Sequence, residues 1–199
     1  MAKLYYKFGS MGSSKTAQAL MTKFNYEEKG KSVWLIKPAK DTRDNNVDEN
    51  GKVIALVKSR VGLYAQAEAI SPSVNLKERA KMDPVDVIIC DECQFLTEAQ
   101  VEQMKDIVDE LDIPVLCFGL RSDFQTKLFP GSKRLFELAD SIAEIKCICE
   151  CGRKATVNAR FDGAGNIITE GEQVFIGGNE SYISMCYKCY RRKIAEQNK

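Results

Sequence analysis

Between Gly9 and Thr16 the chain reads Gly-Ser-Met-Gly-Ser-Ser-Lys-Thr, meeting the pattern G-x-x-x-x-G-K-[ST] at Gly9, Lys15 and Thr16, with Ser14 where the second glycine belongs. The chemistry this suits is capture of a nucleotide's phosphates. A loop joining a strand to a helix must turn its backbone N–H groups inward, which calls for unusual dihedrals and little side-chain bulk. Ser14 is small, and Gly12 supplies part of the missing freedom. Gly9, Ser10, Met11, Gly12, Ser13 and Ser14 would then surround the phosphates of ATP. Lys15 would reach the β- and γ-phosphates, and the Thr16 hydroxyl would ligate Mg²⁺.

A second chemical signal lies at Asp91-Glu92, directly after the apolar run Val85-Asp86-Val87-Ile88-Ile89-Cys90. This is the form of a Walker B strand, which delivers acid at its carboxyl end, where ligands bind in an open α/β sheet. Asp91 is the candidate for holding Mg²⁺ through water. Glu92, one residue on, points elsewhere and can act as a base. The chain has no histidine at all, so a carboxylate is the obvious group to accept a proton from an attacking hydroxyl or water. Gln94 and Phe95 belong to the same turn.

The third signal is cysteine. Of eight cysteines, Cys90, Cys93 and Cys117 lie in or beside apolar runs, whereas Cys147, Cys149, Cys151, Cys186 and Cys189 cluster late. Cys186-Tyr187-Lys188-Cys189 is a C-x-x-C knuckle, and the upstream group offers C-x-C or C-x-x-x-C geometry, with one thiol spare. Cys149 and Cys151 are favoured, because Gly152 gives a turn glycine directly after the last ligand. Four thiolates suit a structural zinc and leave no open position for catalysis.

These groups need elements to hold them. Leu4–Phe8, Val33–Ile36, Val85–Cys90, Val115–Phe118 and Ile142–Ile148 are short apolar runs of the kind that form buried parallel strands. Between them, Thr16–Glu28 has Leu20, Met21 and Phe24 on one helical face. Glu98–Leu111 places Val101, Met104, Val108 and Leu111 at spacings of three and four, starts at a capping box from Thr97 to Gln100, and is followed by Pro114. Residues 41–62 carry turn chemistry and predict a surface loop or hairpin. After residue 146 the character shifts to close-set cysteines and the turn signals Asp162–Asn166 and Gly177–Asn179. The expected architecture is α/β: a P-loop (RecA-like) parallel sheet with flanking helices over 1–146, and a small zinc-ribbon-like domain over 147–199 that carries a lid loop.

The 199 residues hold 29 Lys+Arg against 28 Asp+Glu, a net charge of +1. Nothing there draws nucleic acid or an anionic membrane, and Arg191-Arg192-Lys193 fits a solvated helix face. The N-terminus lacks the apolar run of a secretory signal, and no stretch approaches the ~20 apolar residues of a membrane span, which predicts a cytoplasmic protein.

Taken together, the segments Gly9 to Thr16, Lys40-Asp41-Thr42-Arg43, Asp91-Glu92-Cys93-Gln94-Phe95-Leu96, Gly119-Leu120-Arg121-Ser122-Asp123-Phe124, Cys149 with Cys151, and Glu170-Gly171-Glu172 through Ile176-Gly177-Gly178-Asn179-Glu180-Ser181-Tyr182 resemble the zinc-containing thymidine kinases, the group of the bacterial and human cytosolic enzymes, over nearly the whole chain. The resemblance implies transfer of the γ-phosphoryl of ATP to the 5′-hydroxyl of deoxythymidine, giving dTMP. It implies Glu92 as catalytic base and Asp91, Glu92, Cys93 and Gln94 as a second nucleotide-contacting stretch. Phe124 and Tyr182 would flank the nucleoside, Met11 and Leu120 would wall its pocket, and the backbone of Gln173, Val174, Phe175, Ile176 and Gly177 would meet the thymine edge. Arg43 and Arg60 are candidate phosphate contacts. The family also implies a homotetramer and feedback inhibition by dTTP. Two other readings compete: a P-loop ATPase whose zinc ribbon binds nucleic acid, opposed by the near-zero charge and the short chain, and a purely structural zinc module with a decayed phosphate loop.

Overall fold

The computed structural model describes residues 1–47, 51, 53–174 and 181–197. In chain order the elements are β1 (Leu4–Phe8), α1 (Lys15–Glu27), β2 (Val33–Pro38), β3 (Asn46–Val47), β4 (Val53–Lys58), β5 (Tyr64–Ile70), α2 (Leu76–Met82), β6 (Val87–Cys90), a 3₁₀ turn (Cys93–Phe95), α3 (Glu98–Leu111), β7 (Val115–Gly119), α4 (Pro130–Leu138), β8 (Ser141–Glu144), β9 (Val157–Phe161), β10 (Ile167–Ile168), β11 (Tyr182–Met185) and α5 (Tyr187–Gln197).

Strands whose side chains are apolar on both faces must be covered on both. Among the described residues they form an eight-stranded sheet in the order β3-β4-β5-β2-β6-β7-β1-β8, parallel from β5 to β8 and antiparallel at the β3-β4-β5 end. Alternation sorts the strand residues. Leu4, Tyr6, Ile36, Ile88, Cys90, Val115 and Cys117 pack with Leu76, Val101, Met104, Ile107 and Leu135, so α2, α3 and α4 cover one face. Leu35, Val57, Val87, Ile89, Leu116 and Phe118 pack on the other face with Ala19 and Leu20 of α1. β7 stands between β1, which leads into the phosphate loop, and β6, which ends in the acid pair. Both carboxyl ends therefore open on the same edge of the sheet.

α3 runs over the residues its pattern predicts, and its capping box is formed: the Thr97 hydroxyl accepts from Gln100 N–H at 3.1 Å while the Gln100 side chain accepts from Thr97 N–H at 3.2 Å. Two expectations need correction. Met21 and Phe24 are exposed, at 58% and 63%; α1 meets the sheet through the small residues Ala17 and Ala19 with Leu20, which leaves the two larger side chains turned outward. The last parallel strand ends at Glu144 and is not buried, since β8 is an edge strand paired only with β1, and Ile142 and Ile148 are exposed. The span 41–62 takes the hairpin form that its turn chemistry allowed: β3 pairs antiparallel with β4, and β4 pairs with β5, with Ala55 and Val57 buried.

A separate three-stranded antiparallel sheet, β10-β9-β11, follows, with Asp162–Asn166 turning the chain between β9 and β10. The Asp162 carboxylate accepts from the N–H groups of Ala164 and Asn166. Val157, Ala159, Ile167, Met185 and Tyr190 form its core beside Cys149, Cys186 and Cys189. The signal Gly177–Asn179 lies outside the described residues.

Candidate active site

β1 ends at Phe8 and the chain turns at once. A Cβ on Gly9 would lie 2.4 Å from Ser13 Oγ and 2.5 Å from Ile145 O, so only glycine fits. Gly12 has φ +75° and Ser14 φ +62°, both left-handed. Ser14 thus adopts the conformation that the pattern reserves for glycine, at a cost of about 1–2 kcal/mol for an L side chain. Behind the loop, Lys15 is buried and donates to Ser10 O at 2.8 Å and Ser13 Oγ at 3.3 Å. Burial lowers its pKa, against which Glu92 and then Asp91 pull upward.

The acid pair faces this ammonium. Asp91 continues β6, its N–H donating to Ile36 O at 3.0 Å, and its carboxylate is buried. Burial first and the Glu92 charge second push it up to about 7, opposed by a hydrogen bond from Thr16. A buried carboxylate held above its ordinary range, with a hydroxyl oxygen beside it, is a donor set that fits a hard dication such as Mg²⁺.

Glu92 sits in a left-handed turn at φ +52°. Arg43 Nη2 lies 2.8 Å from its Oε1, and the Gln94 side-chain amide donates to its Oε2. Neither partner is loose. Arg43 Nε donates to Asp41 Oδ1 at 2.6 Å, and Lys37 Nζ lies 3.6 Å from Asp41 Oδ2 while donating to Leu56 O at 2.9 Å. Burial alone would raise the Asp41 pKa; hydrogen bonding and charge from Arg43, with Lys37, outweigh it and hold the group below the ordinary carboxylate range. Gln94 Oε1 accepts from Leu120 N–H at 3.0 Å, which fixes its amide so that the –NH₂ points at Glu92. The Leu120 carbonyl in turn accepts from Tyr6 Oη and Ser132 Oγ.

The late cysteines converge. The sulfurs of Cys149, Cys151, Cys186 and Cys189 all lie within 4.8 Å of one another, and Cys151 and Cys186 are 3.6 Å apart. Four thiolates around zinc at ~2.3 Å would have S···S edges of roughly 3.8 Å, so the donor set fits that ion. Gly152, at φ +80°, makes the turn, its N–H donating to Cys149 O at 2.8 Å. Cys186 Sγ accepts from the Cys189 N–H at 3.4 Å, the main cause of its pKa falling to about 6 and a help in forming a thiolate ligand. Cys147 stays outside the group.

The match to known proteins settles the family. The thymidine kinase family model matches residues 2–190. The chain belongs to the thymidine kinase family. A thymidine kinase of Ruegeria pomeroyi is 43% identical over 195 residues, covering 96% of this chain and 94% of that protein. One of Shewanella oneidensis is 43% identical over 198 residues, covering 98% and 99%, and one of Yersinia pseudotuberculosis is 41% identical over 198, covering 98% and 97%. The solved structure of Bacteroides Pif1 bound to ssDNA superposes on 72% of the chain and 38% of its own, with a TM-score of 0.39 and 12% identity, too distant a likeness to argue from.

Within the chain, one cleft brings together Met11, Gly12 to Thr16, Arg43, Arg60, Asp91, Glu92, Gln94, Leu120, Phe124, Gln173, Val174 and Tyr182. Phe124 is buried at its wall, with the Arg160 guanidinium 5.4 Å from its ring. The Gln173 side chain donates to Asp123 Oδ2 at 2.8 Å. Gly9 and Ser10 are not part of this lining but line a separate small pocket with Arg121 and Thr156, and the Cys93 thiol turns into the core among the α3 and β7 side chains. Phe175, Ile176 and Gly177 lie outside the described residues. Sequence reasoning did not find Lys37 and Asp41 as the support for Arg43, nor Asn158, which also lines the cleft; Lys37 and Asp41 lie close to Arg43 in the chain, but that support gains its meaning only from Glu92, and Asn158 only from Met11, both far away in sequence.

Proposed function

We propose that this thymidine kinase family member transfers the γ-phosphoryl of ATP to the 5′-hydroxyl of deoxythymidine, giving dTMP and ADP. The observation that carries this reading is the convergence of Lys15, Thr16, Asp91 and Glu92 in the cleft that also contains Phe124 and Tyr182. Glu92 accepts the 5′-hydroxyl proton as the oxygen attacks the γ-phosphorus. Arg43 and Gln94 hold its two oxygens in place, so the base meets its substrate already oriented. Lys15 sits where negative charge grows on the phosphates, and Gly9 to Ser14 offer them backbone N–H groups. Thr16 and Asp91 would hold Mg²⁺, which would supply neutralisation of the phosphate charge. Phe124 and Tyr182 flank the nucleoside, Met11 and Leu120 wall its pocket, and Gln173 to Gly177 meet the thymine edge.

On the same reading residues 1–146 form the nucleotide-binding domain and 147–199 a zinc domain. In that zinc domain the cysteine cluster would hold structural Zn²⁺ and anchor a lid that excludes water from the phosphoryl in transfer. No described helix is long and apolar enough to cross a membrane, which agrees with a cytoplasmic setting. Self-association into a homotetramer is supported by the apolar side chains left exposed on α1 and the β4–β5 hairpin, among them Met21, Phe24, Leu63 and Tyr64. dTTP, a nucleoside and a triphosphate in one molecule, would span both halves of the cleft and inhibit. Net charge gives nucleic-acid binding no support. A panel of nucleosides incubated with Mg·ATP, with products identified by mass, tests the assignment. The expected product is dTMP from deoxythymidine; no phosphorylated nucleoside anywhere in the panel would overturn it.

A further inference from the structure

The apex of the phosphate loop is held from outside by the small C-terminal sheet. Met11 N–H donates to Asn158 Oδ1 at 2.7 Å, and Met11 C=O accepts from Ser184 Oγ. Asn158 on β9 and Ser184 on β11 are directly opposite each other in the antiparallel register. One cross-strand pair thus takes both main-chain groups of a single loop residue. The Asn158 side chain is 3% exposed and its other end is also engaged, Nδ2 donating to Ser122 O at 3.1 Å. Its amide orientation follows from chemistry, since an N–H at one end needs oxygen and a carbonyl at the other needs nitrogen.

We propose that Asn158 and Ser184 are positioning residues for ATP: they brace Met11 so that the phosphate loop is already in its phosphate-accepting shape, and they carry the state of the cysteine cluster to that loop. The loop needs such support. Ser14 occupies a left-handed conformation without glycine's freedom, and Gly12, also left-handed, has only the Arg60 guanidinium near its α-carbon face. A loop that pays this strain relaxes unless something fixes it, and a braced loop binds phosphate without first being ordered. The route to the metal-binding group is short. Ser184 on β11 is two residues before Cys186, which follows directly on the end of that strand, and the Thr156 N–H donates to Met185 O at 3.0 Å, clamping the start of β9 to β11 beside it. Ser184 is not part of the cleft's lining, so its effect on ATP must pass through Met11, whereas Asn158 also lies at the cleft wall.

The proposal rests on the nucleotide site assigned above but not on the acceptor. The decisive experiment measures Mg·ATP binding by calorimetry without nucleoside, on the full chain, for wild type, Asn158→Leu, Ser184→Ala and Ser184→Thr. Zinc content and thermal melting are recorded for each. Leaving the Met11 N–H unpaired should weaken ATP binding about tenfold in Asn158→Leu, which also loses the bond to Ser122 O, and loss of the one bond to Met11 C=O should weaken it about fivefold in Ser184→Ala. Ser184→Thr keeps the hydroxyl and should bind within about twofold of wild type. In steady state the ATP KM should rise far more than kcat falls, which general destabilisation would not produce. ATP affinity unchanged in Ser184→Ala, with zinc retained, would overturn the brace even if Asn158→Leu fails to fold. Wild-type protein that phosphorylates no nucleoside, yet binds ATP more tightly than both variants, would overturn the kinase assignment and leave the brace standing.

Discussion

Glu92 is held at both carboxylate oxygens before any substrate arrives, by Arg43 on one side and Gln94 on the other, and its backbone is in a left-handed turn at φ +52°. Strain of this kind persists where the surroundings over-determine it, and here they do, through Asp41, Lys37 and Leu120. Glu92→Gln keeps the shape but cannot accept a proton. Its kcat is expected to fall about 10²–10⁴-fold while the Kd for Mg·ATP stays within a few-fold, as stopped turnover beside calorimetry would establish. Ser14 offers a second test. Replacing it with glycine removes about 1–2 kcal/mol of left-handed strain and adds back part of that in chain entropy, so Ser14→Gly should gain about 0.5–1 kcal/mol. For a chain of this size that raises Tm by about 1–4 °C, read in a thermal melt. The phosphate loop, the acid pair and the choice of Cys149 and Cys151 were legible because each depends on local spacing. The Lys37–Asp41–Arg43 support was not, because its contacts are local but its purpose lies in the Arg43–Glu92 pair across the fold, and the Asn158–Ser184 pair was not, because its meaning comes from sheet register and from Met11, far away in the chain.

At the scale of elements, the same rule separates what the pattern showed from what it hid. α3 is legible to the residue because apolar spacing, a capping box and a following proline all agree. Thr97→Ala removes the hydroxyl that caps Gln100 and should cost about 1 kcal/mol, measurable by chemical denaturation. β5 was hidden because alanines alternate with Gln66 and Glu68, giving period two without much hydrophobicity. α2 is only seven residues long, and α4 opens on Pro130, which reads as a breaker unless the first helical turn is recognised. α1 misled through Met21 and Phe24, since helical spacing names a face but not which residues the sheet will cover. One joint between elements makes a pH prediction. Asp140, at the entry to β8, accepts from Lys105 on α3 at 2.9 Å and from Leu4 N–H on β1 at 2.7 Å, and these bonds, Lys105 first, hold its pKa below 3.8. A carboxylate depressed on folding stabilises above its unfolded pKa and loses that contribution as pH falls through the folded one. Wild type should therefore lose more stability than Asp140→Asn between pH 5 and about pH 3, as denaturant titrations at each pH would show.

At the scale of the whole molecule, a parallel sheet brings a phosphate loop and an acid pair to one edge, and a small antiparallel sheet built beside four cysteines leans on that edge through Asn158, Ser184 and Gln173. The two sheets thus meet at the site, and on the proposal made above this joins the cysteine cluster to the phosphate loop. Cys151→Ser should lower bound zinc well below one per chain and reduce thermal stability, with metal content and melting measured on the same sample. The cleft as a whole is asked to move one phosphoryl group between two bound molecules and to keep water out of the transfer. The most direct measurement is the stoichiometry of ADP and dTMP formed from ATP with and without deoxythymidine. One dTMP for each ADP, with ADP formation falling to near zero when the nucleoside is left out, is the predicted result. ADP and inorganic phosphate appearing at the same rate without deoxythymidine would contradict it.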